Sequence, residues 1–145
     1  MLWSKRAPGE NILVRGARVL DPDARVDAVL DVRIDDGTIA ELGSRLDPNA
    51  HRVVEAEGLT LAPAFVDPHV HLRTPGREDE ETIASGTEAA AAGGYCAILA
   101  MPNTDPVVDS ASVLGSLAEA AQAEAEVPVG FLAAISKGQE GSELT

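Results

Sequence analysis

The chain has 145 residues, of which 45% are hydrophobic, and its formal net charge is −13. No apolar run approaches the roughly 20 residues that a membrane-spanning helix needs, and the opening residues lack the apolar stretch of a signal peptide. A chain this acidic repels phosphate backbones, which argues against nucleic acid as a partner. Cys96 is the only cysteine, so no intrachain disulfide can form, and we expect a protein of the cytoplasm.

The charge is unevenly distributed. Residues 1–60 carry 8 basic and 11 acidic side chains, whereas residues 61–145 carry 3 basic and 13 acidic ones. Arg73 is one of the three basic residues of the second segment. An arginine isolated among acidic residues is expected to have a specific functional or structural role. The length of the chain also limits the possible folds, because a closed eight-unit β/α barrel takes about 250 residues. A complete barrel is therefore excluded.

Residues 1–10 predict a short polar tail, and residues 11–60 predict a small antiparallel sheet unit. Leu30, Val32 and Ile34 alternate with charged residues, which is typical of a strand with one buried face. Asp36-Gly37 then favours a tight hairpin turn. The predicted strands cover Ile12–Leu20, the alternating run that ends at Ile34, Thr38–Leu42 and Arg52–Ala56.

Residues 61–145 predict alternating strands and helices, which indicate a parallel sheet with right-handed crossovers. The nearly all-apolar segment LTLAPAFVDPHVHL is typical of a strand buried on both faces. We expect Cys96 to be a small buried core residue and Gly86 to be a close-packing position. The later elements are a helix over Glu80–Ala92 with an acidic start, a strand over Tyr95–Met101, a helix capped by Asp109 or Ser110, and a strand over Val127–Ile135.

His69 and His71 lie two residues apart at the end of the first predicted parallel strand. Positions i and i+2 of a strand project to the same side, so both imidazoles can reach one point, as two ligands of a divalent metal must. The carboxyl end of a parallel strand is also where α/β folds bind ligands. The alternative is that the two histidines bond to backbone groups. A catalytic zinc needs about three protein ligands, and no third is evident. His51 lies in a polar stretch, which predicts a solvated loop residue.

Three more residues near this strand end have both a functional and a structural interpretation. Arg73 suits a carboxylate clamp, or an ion pair with one of the acidic residues at 78–81. Asn103 follows the second strand, where its amide could hold a substrate, or it could be a turn residue. Asp67 could be an acceptor for a histidine ring, and we favour a structural role at the strand end.

These segments resemble the start of the dihydroorotases of the bacterial type, within the cyclic amidohydrolase superfamily. The resemblance covers about residues 11–145. It rests on the order and spacing of four motifs, and HVHLR together with MPNT is far more specific than HxH alone. Ala64 is a departure, since the family usually has glycine there. The motifs are APAFVDPHVHLRTPG, ETIASGTEAAAAGGY, MPNTDPVVD and AAISKG.

The resemblance implies an α/β fold: a partial TIM-type (β/α)8 barrel of about three strands and two helices over residues 61–145. Residues 11–60 would form part of a small β-sandwich. It implies a hydrolase that interconverts N-carbamoyl-L-aspartate and dihydroorotate in pyrimidine biosynthesis. His69 and His71 would be ligands of Zn²⁺, with one or two ions in the full-length enzyme, and Arg73 and Asn103 would hold the substrate carboxylate.

The resemblance also implies what these 145 residues lack. The family's further metal ligands and its catalytic aspartate lie on later strands, so we expect an N-terminal portion that is inactive alone. Two alternatives stay open: another cyclic amidohydrolase, such as an allantoinase or dihydropyrimidinase, and a non-catalytic association module. The expected partner is the small-molecule substrate, with no nucleic acid or membrane. A homo-oligomer or an association with aspartate carbamoyltransferase is also compatible with the resemblance.

Overall fold

A computed structural model describes residues 1–5 and 9–145. The chain divides into two compact units, which we call the sheet unit (Ala7–Pro63) and the α/β unit (Met1–Arg6 with Ala64–Thr145). Residues 6–8, part of the predicted polar tail, lie outside the described residues. In the described part of the chain, no helix combines the length and apolar character that a crossing of the bilayer requires.

The sheet unit is one five-stranded sheet with β1 at its centre, in the order β3-β2-β1-β4, and with β5 also paired to β1. Asp36 and Gly37 both have positive φ, which is the conformation of the predicted tight hairpin between β2 and β3. The strands are β1 (Ile12–Asp21), β2 (Val26–Asp35), β3 (Thr38–Gly43), β4 (Arg52–Glu55) and β5 (Thr60–Leu61).

Two predictions for the sheet unit were wrong. The sheet is mixed rather than antiparallel, because β4 and β5 both run parallel to β1. Asp31, predicted on the solvated face, is only 5% exposed. Its carboxylate accepts hydrogen bonds from the backbone N–H groups of Gly16 and Leu46, each at 2.9 Å. Gly16 lies at an irregularity of β1, so this buried carboxylate satisfies amides that the regular strand pairing leaves free.

The α/β unit contains a parallel three-stranded sheet in the order β6-β7-β8. Ile83, Ile98, Leu117 and Val129, one from each of four elements, are buried in one hydrophobic core. This confirms the coarse α/β interpretation. The elements are β6 (Phe65–Val70), α1 (Ile83–Ala92), β7 (Tyr95–Ala100), α2 (Ala111–Glu124), β8 (Val129–Phe131) and a 3₁₀ turn at Lys137–Gln139.

Helix α1 begins three residues later than predicted, without an acidic first turn. The reason is a capping box: the Thr82 hydroxyl accepts from the Ser85 backbone N–H, and the Ser85 hydroxyl accepts from that of Thr82, both at 3.0 Å. Ser110 rather than Asp109 caps α2, through its hydroxyl and the Val113 backbone N–H at 3.4 Å.

Two further predictions fail because they assume that the parallel sheet is covered on both faces, and a third fails in the length of its strand. Phe65 is 64% exposed and Val66 is 57% exposed on β6, which lies at an edge of the sheet. Cys96 is exposed rather than buried. The third strand is three residues long, Val129–Phe131, instead of nine. Gly86 is a close-packing position as predicted, because a Cβ there would overlap the side chain of Leu72.

Residues 1–5, within the segment predicted as a short polar tail, pair with the α/β unit. Trp3 pairs with Val129 through two backbone hydrogen bonds of 2.9 and 2.8 Å. The Lys5 backbone N–H donates to the carbonyl of Ala125, and its ammonium pairs with Glu126. These contacts give β8 an antiparallel neighbour on the side away from β7.

Candidate metal centre

The carboxyl end of β6 carries the two histidines that the sequence singles out. His69 is in the strand, and His71 follows its last residue, Val70. Their ring centroids are 5.3 Å apart with an angle of 66° between the ring planes, and both residues are exposed. The structure thus places two imidazoles side by side at an open strand end.

Asn103 reaches the same point from the loop that follows β7. Its side-chain oxygen lies 2.8 Å from Nδ1 of His71. The Met101 backbone N–H donates to the carbonyl of Val70 at 2.9 Å, which continues the pairing of β6 with β7 beyond the regular strands. The neighbouring strand ends therefore bring Asn103 and His71 together, although 32 residues separate them in the chain.

Asp67 and His51 have structural contacts. The Asp67 carboxylate accepts from the backbone N–H of His69 at 3.0 Å, in agreement with the structural role favoured for it. His51 belongs to the sheet unit and is not a solvated residue as predicted, because its side chain is only 11% exposed. Its Nε2 contacts Asp35 and its Nδ1 contacts the carbonyl of Pro48 at 3.1 Å.

The two loops that surround the histidines are in direct backbone contact. The Asp105 backbone N–H donates to the carbonyl of Pro75 at 3.0 Å. Gly76 has φ of +103°, and a Cβ at this position would overlap the carbonyl oxygen of Asp105. Only glycine combines this left-handed conformation with so close an approach. The loop after β6 and the loop after β7 are consequently held as a pair.

Arg73 has the ion pair that the sequence offers as the alternative to substrate binding. Its Nε lies 3.4 Å from a carboxylate oxygen of Glu80, and its side chain is 32% exposed. Its φ is +61°, a left-handed conformation that costs a non-glycine residue about 1 kcal/mol. The strand alternation that would align Arg73 with the histidines therefore does not extend to it. The role of Arg73 toward a substrate stays a prediction.

The two histidines fit a divalent transition metal as a partial ligand set. Neutral imidazole nitrogen is a preferred ligand of zinc, and a metal-bound histidine usually donates its other N–H to an oxygen acceptor, the contact that Asn103 makes with His71. Across residues 1–5 and 9–145, no group of three or more His, Cys, Asp and Glu side chains is arranged to hold a metal ion. The described residues offer a pair of ligands.

Sequence reasoning identifies the residues of this site but misses one link between them. Asn103 follows a neighbouring parallel strand, so its position at the same edge of the sheet is predictable. Its contact with His71 depends on how far each residue lies beyond its strand. The MPNT motif immediately after β7 is the signal that points to Asn103, and a motif does not state which atom its side chain meets.

Comparison with known proteins identifies relatives of this chain. Residues 58–145 match the profile of the dihydro-orotase-like family. The dihydroorotase of Solibacter usitatus is 49% identical over 133 residues, which are 92% of this chain and 31% of that protein. The dihydroorotase of Citrifermentans bemidjiense is 44% identical over 135 residues, 92% of this chain and 32% of that protein. The chain thus spans about a third of the length of these relatives.

Solved structures of related hydrolases share the fold. A D-hydantoinase structure superposes with a TM-score of 0.73 at 26% identity, over 87% of this chain and 27% of that one. The dihydropyrimidinase of Brevibacillus agri superposes with a TM-score of 0.72 at 29% identity, with the same coverage. The sequence matches are closer than these and lie with dihydroorotases. The chain belongs to the dihydro-orotase-like family.

Proposed function

We propose that this chain contributes the first metal-ligand pair and the carboxylate-binding residues of a zinc-dependent dihydroorotase. The reaction would be the interconversion of N-carbamoyl-L-aspartate and dihydroorotate in pyrimidine biosynthesis, in the cytoplasm. One observation supports this most: His69, His71 and Asn103 meet at the adjacent carboxyl ends of two parallel strands. This edge is where β/α barrels carry their active sites.

Each residue has a distinct role in the proposal. His69 and His71 hold the metal ion through neutral imidazole nitrogens. When bound, zinc supplies Lewis acidity toward a ring carbonyl. Asn103 donates hydrogen bonds from its amide N–H groups to a substrate carboxylate, and Arg73 contributes the positive charge. Because Arg73 now contacts Glu80, substrate must share or replace that partner.

The same proposal accounts for the exposed apolar surface of the α/β unit. Strands β6, β7 and β8 with the two helices would be three strands and two helices of an eight-unit barrel, and the sheet unit would be part of a small β-sandwich. Phe65 and Val66, which lie exposed on the edge strand β6, would face further units of that barrel. With only two ligands for a zinc that needs about three, the 145-residue chain alone is expected to bind zinc weakly and to show no turnover.

A chimeric enzyme tests the function. Residues 1–145 would replace the matching third of the Solibacter usitatus dihydroorotase, and hydrolysis of dihydroorotate would be measured beside the unmodified enzyme. We expect zinc-dependent activity that is lost in His69→Ala and His71→Ala. Arg73→Gln should raise KM for dihydroorotate at least tenfold, because it removes a charge-assisted pair. Arg25→Gln, an exposed arginine of the sheet unit, is the matched control.

The runner-up is another cyclic amidohydrolase activity, such as that of a hydantoinase or dihydropyrimidinase, whose solved structures share this fold. Hydantoin and dihydrouracil carry no carboxylate, so the same chimera would discriminate the two. A preference for an uncharged ring, or an Arg73→Gln effect equal for all substrates, would overturn the role given to Arg73. An inactive chimera with normal zinc content and normal circular dichroism would favour the non-catalytic module.

Association with a second copy or with aspartate carbamoyltransferase remains part of the proposal and calls for a co-purification test.

A further inference from the structure

The contact between Asn103 and His71 constrains where the imidazole proton lies. Nδ1 of His71 is 2.8 Å from the side-chain oxygen of Asn103. An amide oxygen can only accept a hydrogen bond, so Nδ1 must carry the proton. A neutral imidazole has a single N–H, and Nε2 is then the nitrogen with a free lone pair.

We propose that Asn103 is a positioning residue that fixes His71 in its Nδ1–H tautomer and so prepares Nε2 as a ligand nitrogen. The inference rests on the proposed function only in naming a metal as the group that Nε2 receives. Among the described residues, Nε2 of His71 has no hydrogen-bond partner, which leaves that nitrogen available. His51 differs, because both of its ring nitrogens have partners within the protein.

Hydrogen bonds on both sides of Asn103 fix the loop that carries it. The hydrogen bond from Met101 to the carbonyl of Val70 precedes it, and that from Asp105 to the carbonyl of Pro75 follows it. The Thr104 hydroxyl donates to the carbonyl of Pro106 at 2.7 Å. Asn103 thus lies between two backbone links to the loop that carries His71, an arrangement that supports a ligand from outside its own strand.

The same hydrogen bond determines which end of the Asn103 amide remains for substrate. Since its oxygen is used on His71, its NH₂ group supplies the donors for a second partner. A carboxylate accepts such donors, whereas a cation would need the oxygen. One asparagine therefore serves both a metal ligand and an anionic substrate, and this fits a dihydroorotate carboxylate better than a basic ligand.

Nitrogen-15 spectroscopy of the histidine rings tests the proposal without any turnover. The 145-residue chain, labelled on histidine and freed of metal by a chelator, would be examined at a pH where the nitrogen-15 shifts show neutral rings. We expect His71 in the Nδ1–H form in the wild-type chain. Asn103→Leu should raise the ratio of Nε2–H to Nδ1–H at least tenfold, and Asn103→Asp, which retains an acceptor, should restore the Nδ1–H form.

Gln122→Leu, which removes an exposed amide from α2, is the matched control and should leave His71 unchanged. Zinc competition gives a second readout: Asn103→Leu should weaken binding about 10- to 100-fold, the usual effect of losing such a partner. A wild-type His71 in the Nε2–H form would overturn the inference, whatever the activity of the chimera. The spectrum of the wild-type chain tests the inference even if Asn103→Leu does not fold. An inactive chimera whose His71 is in the Nδ1–H form would contradict only the proposed function.

Discussion

The two units of the molecule use histidine in opposite ways. In the sheet unit, His51 is largely buried and both ring nitrogens contact oxygen atoms of the protein. In the α/β unit, His69 and His71 are exposed, and the only ring contact with an oxygen acceptor among the described residues is that of His71 with Asn103. A histidine whose nitrogens are all satisfied holds structure, whereas one with a free nitrogen can still take a ligand.

The carboxylates of the two units differ in the same sense. Asp31 is buried in the sheet unit, and its two oxygens accept from Gly16 and Leu46. Glu80 in the α/β unit is exposed and pairs with Arg73 and Arg77, contacts that solvent and salt weaken. Where the hydrogen bonds of a polar group are all made within the protein, we expect its mutation to lower stability. Where a group keeps a free donor or acceptor, we expect its mutation to weaken ligand binding.

The largest expected effect is on the sheet unit. Asp31→Ala removes the acceptor of two backbone N–H groups, so the free energy of unfolding should fall by about 2–5 kcal/mol. Urea denaturation followed by circular dichroism measures it. Asp23→Ala, an exposed carboxylate in the β1–β2 turn, should change stability by less than about 0.5 kcal/mol. Equal effects of the two variants would contradict the importance of the buried contacts.

A reciprocal pair of variants tests the comparison of the histidines. His71→Ala should weaken zinc binding at least about tenfold, or 1.4 kcal/mol, and leave the free energy of unfolding unchanged. His51→Ala should lower the free energy of unfolding by about 1 kcal/mol through its lost contacts and leave zinc binding unchanged. Competition with a coloured chelator and urea denaturation give the two readouts. If His51→Ala weakened zinc binding as much as His71→Ala, the distinction would be lost.

The smallest expected effect is the acid response of an exposed pair in the sheet unit. The hydrogen bond from Arg18 holds the pKa of the Asp27 carboxyl below its ordinary value of 3.8, with nitrogen–oxygen distances of 2.7 and 2.8 Å. A pKa lowered in the folded state contributes stability that is present above pH 3.8 and is lost as the pH falls through the folded-state pKa.

We therefore expect the stability difference between the wild-type chain and Asp27→Asn to shrink as the pH falls below 3.8. A carbon-13 titration of the Asp27 carboxyl gives the pKa directly. The contact is exposed, so the change should be small and should diminish at high salt. A pKa at or above the ordinary value would show that the pair does not persist in solution.

Local patterns predict most of what positions the candidate site. The turn at Asp36-Gly37 and the alternation of strands and helices after residue 60 all depend on neighbouring residues, and the structure confirms them. The adjacency of His69 and His71 needs only the geometry of a strand. Family motifs then point to Arg73 and Asn103, whose roles toward a substrate remain predictions.

The predictions that failed depend on groups distant in sequence. His51 contacts Asp35, 16 residues earlier. Asp31 accepts hydrogen bonds from backbone amides that lie 15 residues away on either side. Cysteine and valine are common in strands whose sheet is covered on both faces, which is why Cys96 and Val66 were expected to be buried. The sequence of a strand does not show whether another element covers it. The start of α1 failed for a local reason, because the capping box outweighs the attraction of acidic residues to a helix start.

The contact of Gly76 with Asp105 limits how this fold can be modified. Because the two backbones touch there, the loop after β6 cannot gain or lose a residue without a matching change in the loop after β7. A mutant library built on these loops should therefore leave position 76 untouched and vary both loops together. The two loops must therefore be redesigned together, although a helix and a strand separate them in the chain.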